Sequence, residues 1–196
     1  MSDQLVADLF AMCGVWRDTC RAYDPTGDEI YYDHAGGAPG EFPFDNLVYV
    51  DFDGERYLQT NVSVDRTTLQ ERTFGATVAN ACLTFDRLGP EAPRHVGRSG
   101  GPGLIWFVAA DCGDPGLRNY CEPDLIRLEG DRRWRNTVLW RDRSIARLLR
   151  VEGVRLSQDT AVRHQLDPRP PGPVHGARSQ TTHYQRPHKE QDERTV

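Results

Sequence analysis

The stretch that most constrains this chain is Leu128–Trp140, LEGDRRWRNTVLW. Gly130-Asp131 suits a tight hairpin turn, and the residues after it alternate with a period of two, as a strand requires. Trp134, Asn136, Val138 and Trp140 fall on one face; Arg133, Arg135, Thr137 and Leu139 fall on the other. The first face is aromatic with a single amide, and the second is largely cationic. This reading expects the tryptophan face to meet a concave, semi-apolar interior and the arginine face to meet water.

The rest of the chain supplies strands for such an interior. Leu5, Val6, Leu9 and Phe10 have helical spacing, so Asp3–Met12 is expected as a short helix closing one end. Strands are expected from Gly14-Val15-Trp16 to Tyr23 and over Glu29–Asp33, Asn46–Phe52 and Arg56–Val64. Asp53-Gly54 forms the turn between the last two. Further strands are expected over Leu69–Phe74, Ala79–Arg87, Leu104–Ala110, Glu122–Leu128, Ile145–Val151 and Val154–Ser157. Gly89–Gly103 reads as turn-rich, and Glu152-Gly153 as a break between the last two strands.

A serial antiparallel meander of eight to ten strands, about the upper size of an open sheet, must split into a sandwich or close on itself. Few connections are long enough for Greek-key crossings, which favours an all-β, up-and-down barrel over residues 1–164. Residues 165–196 are rich in Pro, Gln, Thr and charge, the composition of a disordered polar tail.

Composition narrows the function classes. The 38% hydrophobic and 27% charged content fits a globular domain with a polar appendage. A net charge of −5 gives no electrostatic case for nucleic acid as a partner. No apolar run approaches a membrane span and the first residues carry acids, so no membrane partner and a cytoplasmic location are expected. The five cysteines are then free thiols, Cys112 and Cys121 being the one pair with hairpin-compatible spacing for a disulfide. No C-x-x-C occurs and the histidines form no standard metal set, so no metal or cofactor is expected.

Gly14-x-Trp16 after a short helix resembles the glycine–tryptophan signature of lipocalin-like (calycin) barrels. That resemblance implies that Trp16 plugs the closed end and that Arg155, late in the meander, packs across its ring. More particularly, the chain is similar to bacterial lipocalin-like proteins that include bilin lyases and natural-product cyclases. Tyr23-Asp24-Pro25-Thr26 resembles the strand end of nitrobindin-type haem barrels. The repeated glycines of that group are missing, and no histidine falls in a late strand before His164.

The expected inner wall contains Trp16, Leu58, Val62, Leu83, Phe85, Trp106, Val108, Ile126, Trp134, Val138 and Trp140. Trp106, Trp134 and Trp140, with Asn136 as the polar contact and Tyr49 from the first hairpin, are the candidate binding residues for an apolar or aromatic small molecule. Glu122, sharing its strand face with Asp124 and Ile126, and Tyr120 beside it are the candidate acid and base. The resemblance implies a cofactor-independent cyclisation, isomerisation or lyase step in secondary metabolism. A non-catalytic pigment or lipid carrier is the alternative, and a homodimer is open to either. The arginines of one parity (Arg133, Arg135, Arg141, Arg143, Arg147) read as a solvated outer stripe, which in a further alternative would dock an acidic partner.

Overall fold

The structure is a computed structural model that describes residues 2–30, 44–65, 68–90, 92–111, 120–121, 123–141 and 144–162. It opens with α1 (Ser2–Met12), where Leu5, Leu9 and Met12 form one fully buried stripe at helical spacing. The strands are β1 (Gly14–Tyr23), β2 (Glu29–Ile30), β3 (Phe44–Phe52), β4 (Arg56–Asp65), β5 (Thr68–Ala79) and β6 (Cys82–Phe85). They continue with β7 (His95–Gly101), β8 (Leu104–Ala109), β9 (Tyr120–Cys121), β10 (Asp124–Glu129), β11 (Arg132–Arg141) and β12 (Ser144–Ser157). A 3₁₀ turn, Thr160–Val162, follows.

Neighbouring strands pair antiparallel in chain order, and β1–β12 with β10–β11 complete the ring. Ten strands thus close an up-and-down, lipocalin-like barrel, with two-residue β2 and β9 as side pairings on β1 and β11. Closure leaves no long unpaired edge among the described residues. Gly54 at φ +106° and Gly130 at φ +58° make the two hairpin turns expected from Asp-Gly and Gly-Asp.

The core lies at the end plugged by α1. Leu5, Leu9 and Met12 pack there with Trp16, Val50, Tyr57, Ala76, Leu83, Ile105 and Ile126. Asp8 fixes the helix by accepting the Gly103 amide at 2.9 Å through Oδ1. Arg155 fixes its other end, donating to the carbonyls of Ala11 at 2.5 Å and Cys13 at 3.1 Å. A cation at a helix C-terminus satisfies orphan carbonyls and opposes the helix dipole.

Three expectations about strand boundaries are corrected. Residues 95–101 are strand β7, not turn. Gly97 stands there because the Phe107 ring lies against it, and a Cβ would come within 2.6 Å of that ring. The boundary expected near Ala79 is instead a turn at Asn80-Ala81, both in the left-handed region, so β5 runs longer and β6 shorter. Glu152-Gly153 does not interrupt β12. A Cβ at Gly153 would lie 2.4 Å from Asp18 Oδ1 and 2.6 Å from Arg133 Cγ, so this glycine makes room for two side chains within the barrel. The tail from residue 165, and Cys112 with its proposed disulfide, lie outside the described residues, as does the side chain of Cys121. Cys13, Cys20 and Cys82 are free thiols.

Candidate ligand-binding interior

Strand register assigns the inner face without ambiguity. Trp16 lies beside Arg155 of β12 and Val48 of β3, and Asp18 beside Gly153, which in turn lies beside Arg133 of β11. Residues paired laterally share a face. Trp16, Asp18, Cys20, Asn46, Tyr57, Gln59 and Asn61 therefore point inward together with Arg133, Arg135, Thr137, Arg147 and Leu149.

This reverses the expected facing of β11. Arg133 is 5% exposed and Thr137 1%, whereas Trp140 is 39% exposed and Asn136 is open to solvent. Trp134 and Val138 share the outer parity, and so does Trp106, which is 47% exposed. Leu58, Val62 and Val108 also point outward. Tyr49 is on the outer face too, buried beneath the C-terminal turn with Val15, Leu47, Val62, Leu156 and Val162. None of Tyr49, Trp106, Trp134, Asn136 and Trp140 lines the interior. Tyr120 belongs to β9, but its side chain lies outside the described residues, as does all of Glu122.

The physical reason is a buried ion pair. Arg133 donates from Nε to Asp18 Oδ1 at 3.0 Å and from NH2 to Oδ2 at 2.6 Å, a two-pronged pairing with both side chains nearly inaccessible. The Arg133 guanidinium also lies 4.7 Å from the centre of the Trp16 ring, and that of Arg155 lies 4.5 Å from it. Trp16 Nε1 donates to the Met12 carbonyl at 2.8 Å, so the expected plug is present, with a second arginine added. Sequence reasoning missed Asp18 and Arg133. The usable signal was parity: Asp18 shares a face with inward Trp16, and a buried aspartate requires a buried cation.

Above this layer the interior becomes polar and reachable by water. Tyr57 donates from its hydroxyl to Gln59 Oε1 at 2.7 Å, and Gln59 donates onward to Asn61 Oδ1 at 2.8 Å. Arg135 pairs with Asp124 at 2.8 Å, and the Thr137 hydroxyl also bonds to Asp124. Asp124 therefore faces inward with Ile126, as expected, but as an ion-paired carboxylate. Asn46 donates from Nδ2 to Cys20 Sγ at 3.7 Å, while its buried Oδ1 has no hydrogen-bond partner among the described residues. Burial pushes the Cys20 thiol up to about 12, with the Asp18 charge adding to the shift. Complete burial likewise raises the Tyr57 phenol.

The inward residues near α1 are sealed, but Gln59, Asn61, Phe74, Arg147 and Leu149 are only half-buried. These half-buried inward residues lie in the half of the barrel away from the helix. Among the residues whose side chains are described, the inward parity carries five arginines (72, 133, 135, 147 and 155) against two aspartates (18 and 124), and Arg155 also pairs with Asp131 at 3.3 Å beside the β10–β11 turn. No group of three or more His, Cys, Asp or Glu that could hold a metal ion occurs among the described residues.

The described residues thus form a closed antiparallel barrel with an N-terminal helical plug and an arginine-bearing interior. Two solved structures share the fold. One, a protein of unknown function from the DUF3598 family of Nostoc punctiforme, has a TM-score of 0.55 at 18% identity. That match covers 74% of this chain and 48% of the other, so this chain spans about half that protein's length. The other, an S-type phycobiliprotein lyase from Guillardia theta, has a TM-score of 0.50 at 10% identity and covers 76% of this chain and 92% of the lyase. No protein-family model matches the chain, and no curated protein matches it. Among the described residues no helix is long and apolar enough to cross a membrane.

Proposed function

We propose that this protein binds an acidic, largely apolar small molecule inside its barrel, entering from the end opposite α1. The observation that carries this reading is the excess of inward arginines over inward carboxylates in a space that water reaches. A net positive inner wall attracts an anion, and a ligand carboxylate suits the two-pronged geometry of a guanidinium such as that of Arg135 or Arg147. Phe74 and Leu149 offer apolar contacts, and Gln59, Asn61 and the buried Asn46 Oδ1 offer directional ones. The sequence-based expectation of an apolar or aromatic ligand is thereby narrowed to one that also carries a carboxylate or similar anion.

The fold shared with a phycobiliprotein lyase makes a catalytic variant the second reading. Asp124, the inward carboxylate held by Arg135 and Thr137, is then the group placed to move a proton.

Biliverdin, a flat conjugated dicarboxylic acid, is a suitable probe, and its dimethyl ester is the control. Fluorescence titration should show the acid binding at least tenfold more tightly than the ester. Arg135→Ala and Arg147→Ala should remove that preference. Equal binding of acid and ester, or unchanged binding in both variants, rejects the proposal.

A further inference from the structure

The facing of β8 and β11 puts three of the chain's four tryptophans on the outside of the barrel. On the outer wall Arg98, Trp106, Leu125, Asn136 and Arg150 form one lateral row across β7, β8, β10, β11 and β12. Trp106 and Leu125, adjacent in that row, are 47% and 45% exposed, and Trp140 further along β11 is 39% exposed. Val138 lies between that row and Trp140 on the same face of β11, and Trp134 flanks the row on its other side. Side chains of this size at this exposure leave roughly 300 Å² of apolar surface open, the size at which a patch on a monomer is commonly functional.

We infer that this wall is a docking face for a partner protein whose contact surface is apolar at its centre and ringed by Asp and Glu. The charges select that occupant. The outer positions of the five strands carry Arg98, Arg127, Arg132 and Arg150 against Glu129 and Glu152, a net of +2 on a chain whose net charge is −5. The ion pairs present, Arg127–Glu129 at 3.9 Å and Arg150–Glu152 at 2.6 Å, are exposed and hold the arginines only weakly. Beyond Arg150 a groove of about 360 Å³ between β12 and β1 adds Arg17 and Arg21 and ends on Val154 and Leu156, so the positive character continues along the wall.

A second copy would set this positive face against itself. A uniformly anionic lipid surface would meet Glu129 and Glu152 among the arginines. A protein surface can pattern its charges to suit both. Tryptophan and arginine are also the residues in which interface energy concentrates, and complementary charge accelerates encounter.

The test uses the full chain and a defined probe: an 18-residue amphipathic peptide with Leu and Phe on one face and Asp and Glu on the other. Its charge-reversed Lys/Arg analogue and phosphatidylglycerol vesicles are the comparators. Fluorescence anisotropy should show the acidic peptide binding, and Leu125→Glu, Trp106→Ala and Arg98→Glu/Arg127→Glu should each weaken it at least tenfold. Far-UV circular dichroism should stay unchanged in every variant, and so should biliverdin binding. Raising salt from 50 to 300 mM should weaken the complex. The inference is overturned by no binding of the acidic peptide, or by equal binding of its reversed analogue. It is also overturned if vesicles bind in a Trp106-dependent way in place of the peptide, or if a sedimenting dimer becomes monomeric on Trp106→Ala.

Discussion

Breaking the Asp18–Arg133 pair from one side should be far more harmful than removing it whole. Both side chains are nearly inaccessible and bonded at 3.0 and 2.6 Å, and Gly153 leaves space for them alone. Asp18→Leu strands a guanidinium in the sealed layer above Trp16, and Arg133→Met strands a carboxylate there. An uncompensated buried charge costs about 3–5 kcal/mol, whereas replacing both partners with apolar side chains of similar volume is often close to neutral. For a chain of this size each kcal/mol lowers Tm by about 2–4 °C, so each single variant should melt roughly 10 °C lower. The double variant Asp18→Leu/Arg133→Met should lie within about 2 kcal/mol of wild type, giving a coupling energy of about 4 kcal/mol or more. Urea unfolding followed by tryptophan fluorescence, with the slope m unchanged, measures all four corners of the cycle. Single variants that each cost under 1 kcal/mol, or a double variant equal to the sum of its singles, would refute the burial argument.

Gly153→Ala should destabilise by about 1–3 kcal/mol in wild type, because its methyl group collides with the ion pair. In the Asp18→Leu/Arg133→Met background a different penalty is expected, and an identical one would show that the clash lies elsewhere. Arg155→Lys keeps the charge but cannot reach both helix-end carbonyls and the Trp16 face together, so amide exchange in α1 should speed up several-fold with little change in the β-strands. Uniform acceleration across the chain contradicts this. Cys20 and Tyr57 are neutral in the fold, and their titration lies above its ordinary range. The stability they contribute is complete below about pH 9, the ordinary thiol value, and falls as pH rises toward 12. Urea midpoints measured from pH 8 to 11 should therefore decline, and Cys20 should resist Ellman's reagent at pH 8 in the folded chain. A flat profile with instantly reactive Cys20 counts against the burial assigned to both.

Much of this fold is written in local pattern. The N-terminal helix, the Asp53-Gly54 and Gly130-Asp131 turns and the serial hairpins follow from spacing and turn chemistry, and Trp16 with Arg155 follows from the resemblance to lipocalin-like barrels. The facing of β11 did not follow, because a period of two says that faces alternate and not which one is buried. Tryptophan is ordinarily the inward choice, and here a non-local partner, Asp18 on β1, overrides it by requiring Arg133 inside. Strand β7 was hidden for a related reason. Its glycines resemble turn residues, yet Gly97 is needed beneath the ring of Phe107, which comes from the next strand. The polar interior was invisible for the same cause: Gln59, Asn61 and Arg135 look solvent-facing until register brings their strands together.

The claim that the barrel interior is the binding site is tested most directly by nuclear magnetic resonance of the biliverdin complex. The largest shifts and intermolecular contacts should fall at inward residues of the half away from α1, such as Asn61, Phe74, Arg135 and Leu149. Trp106 and Leu125 on the outer wall should be unaffected. Contacts confined to the outer wall, with the inward residues unperturbed, would contradict it.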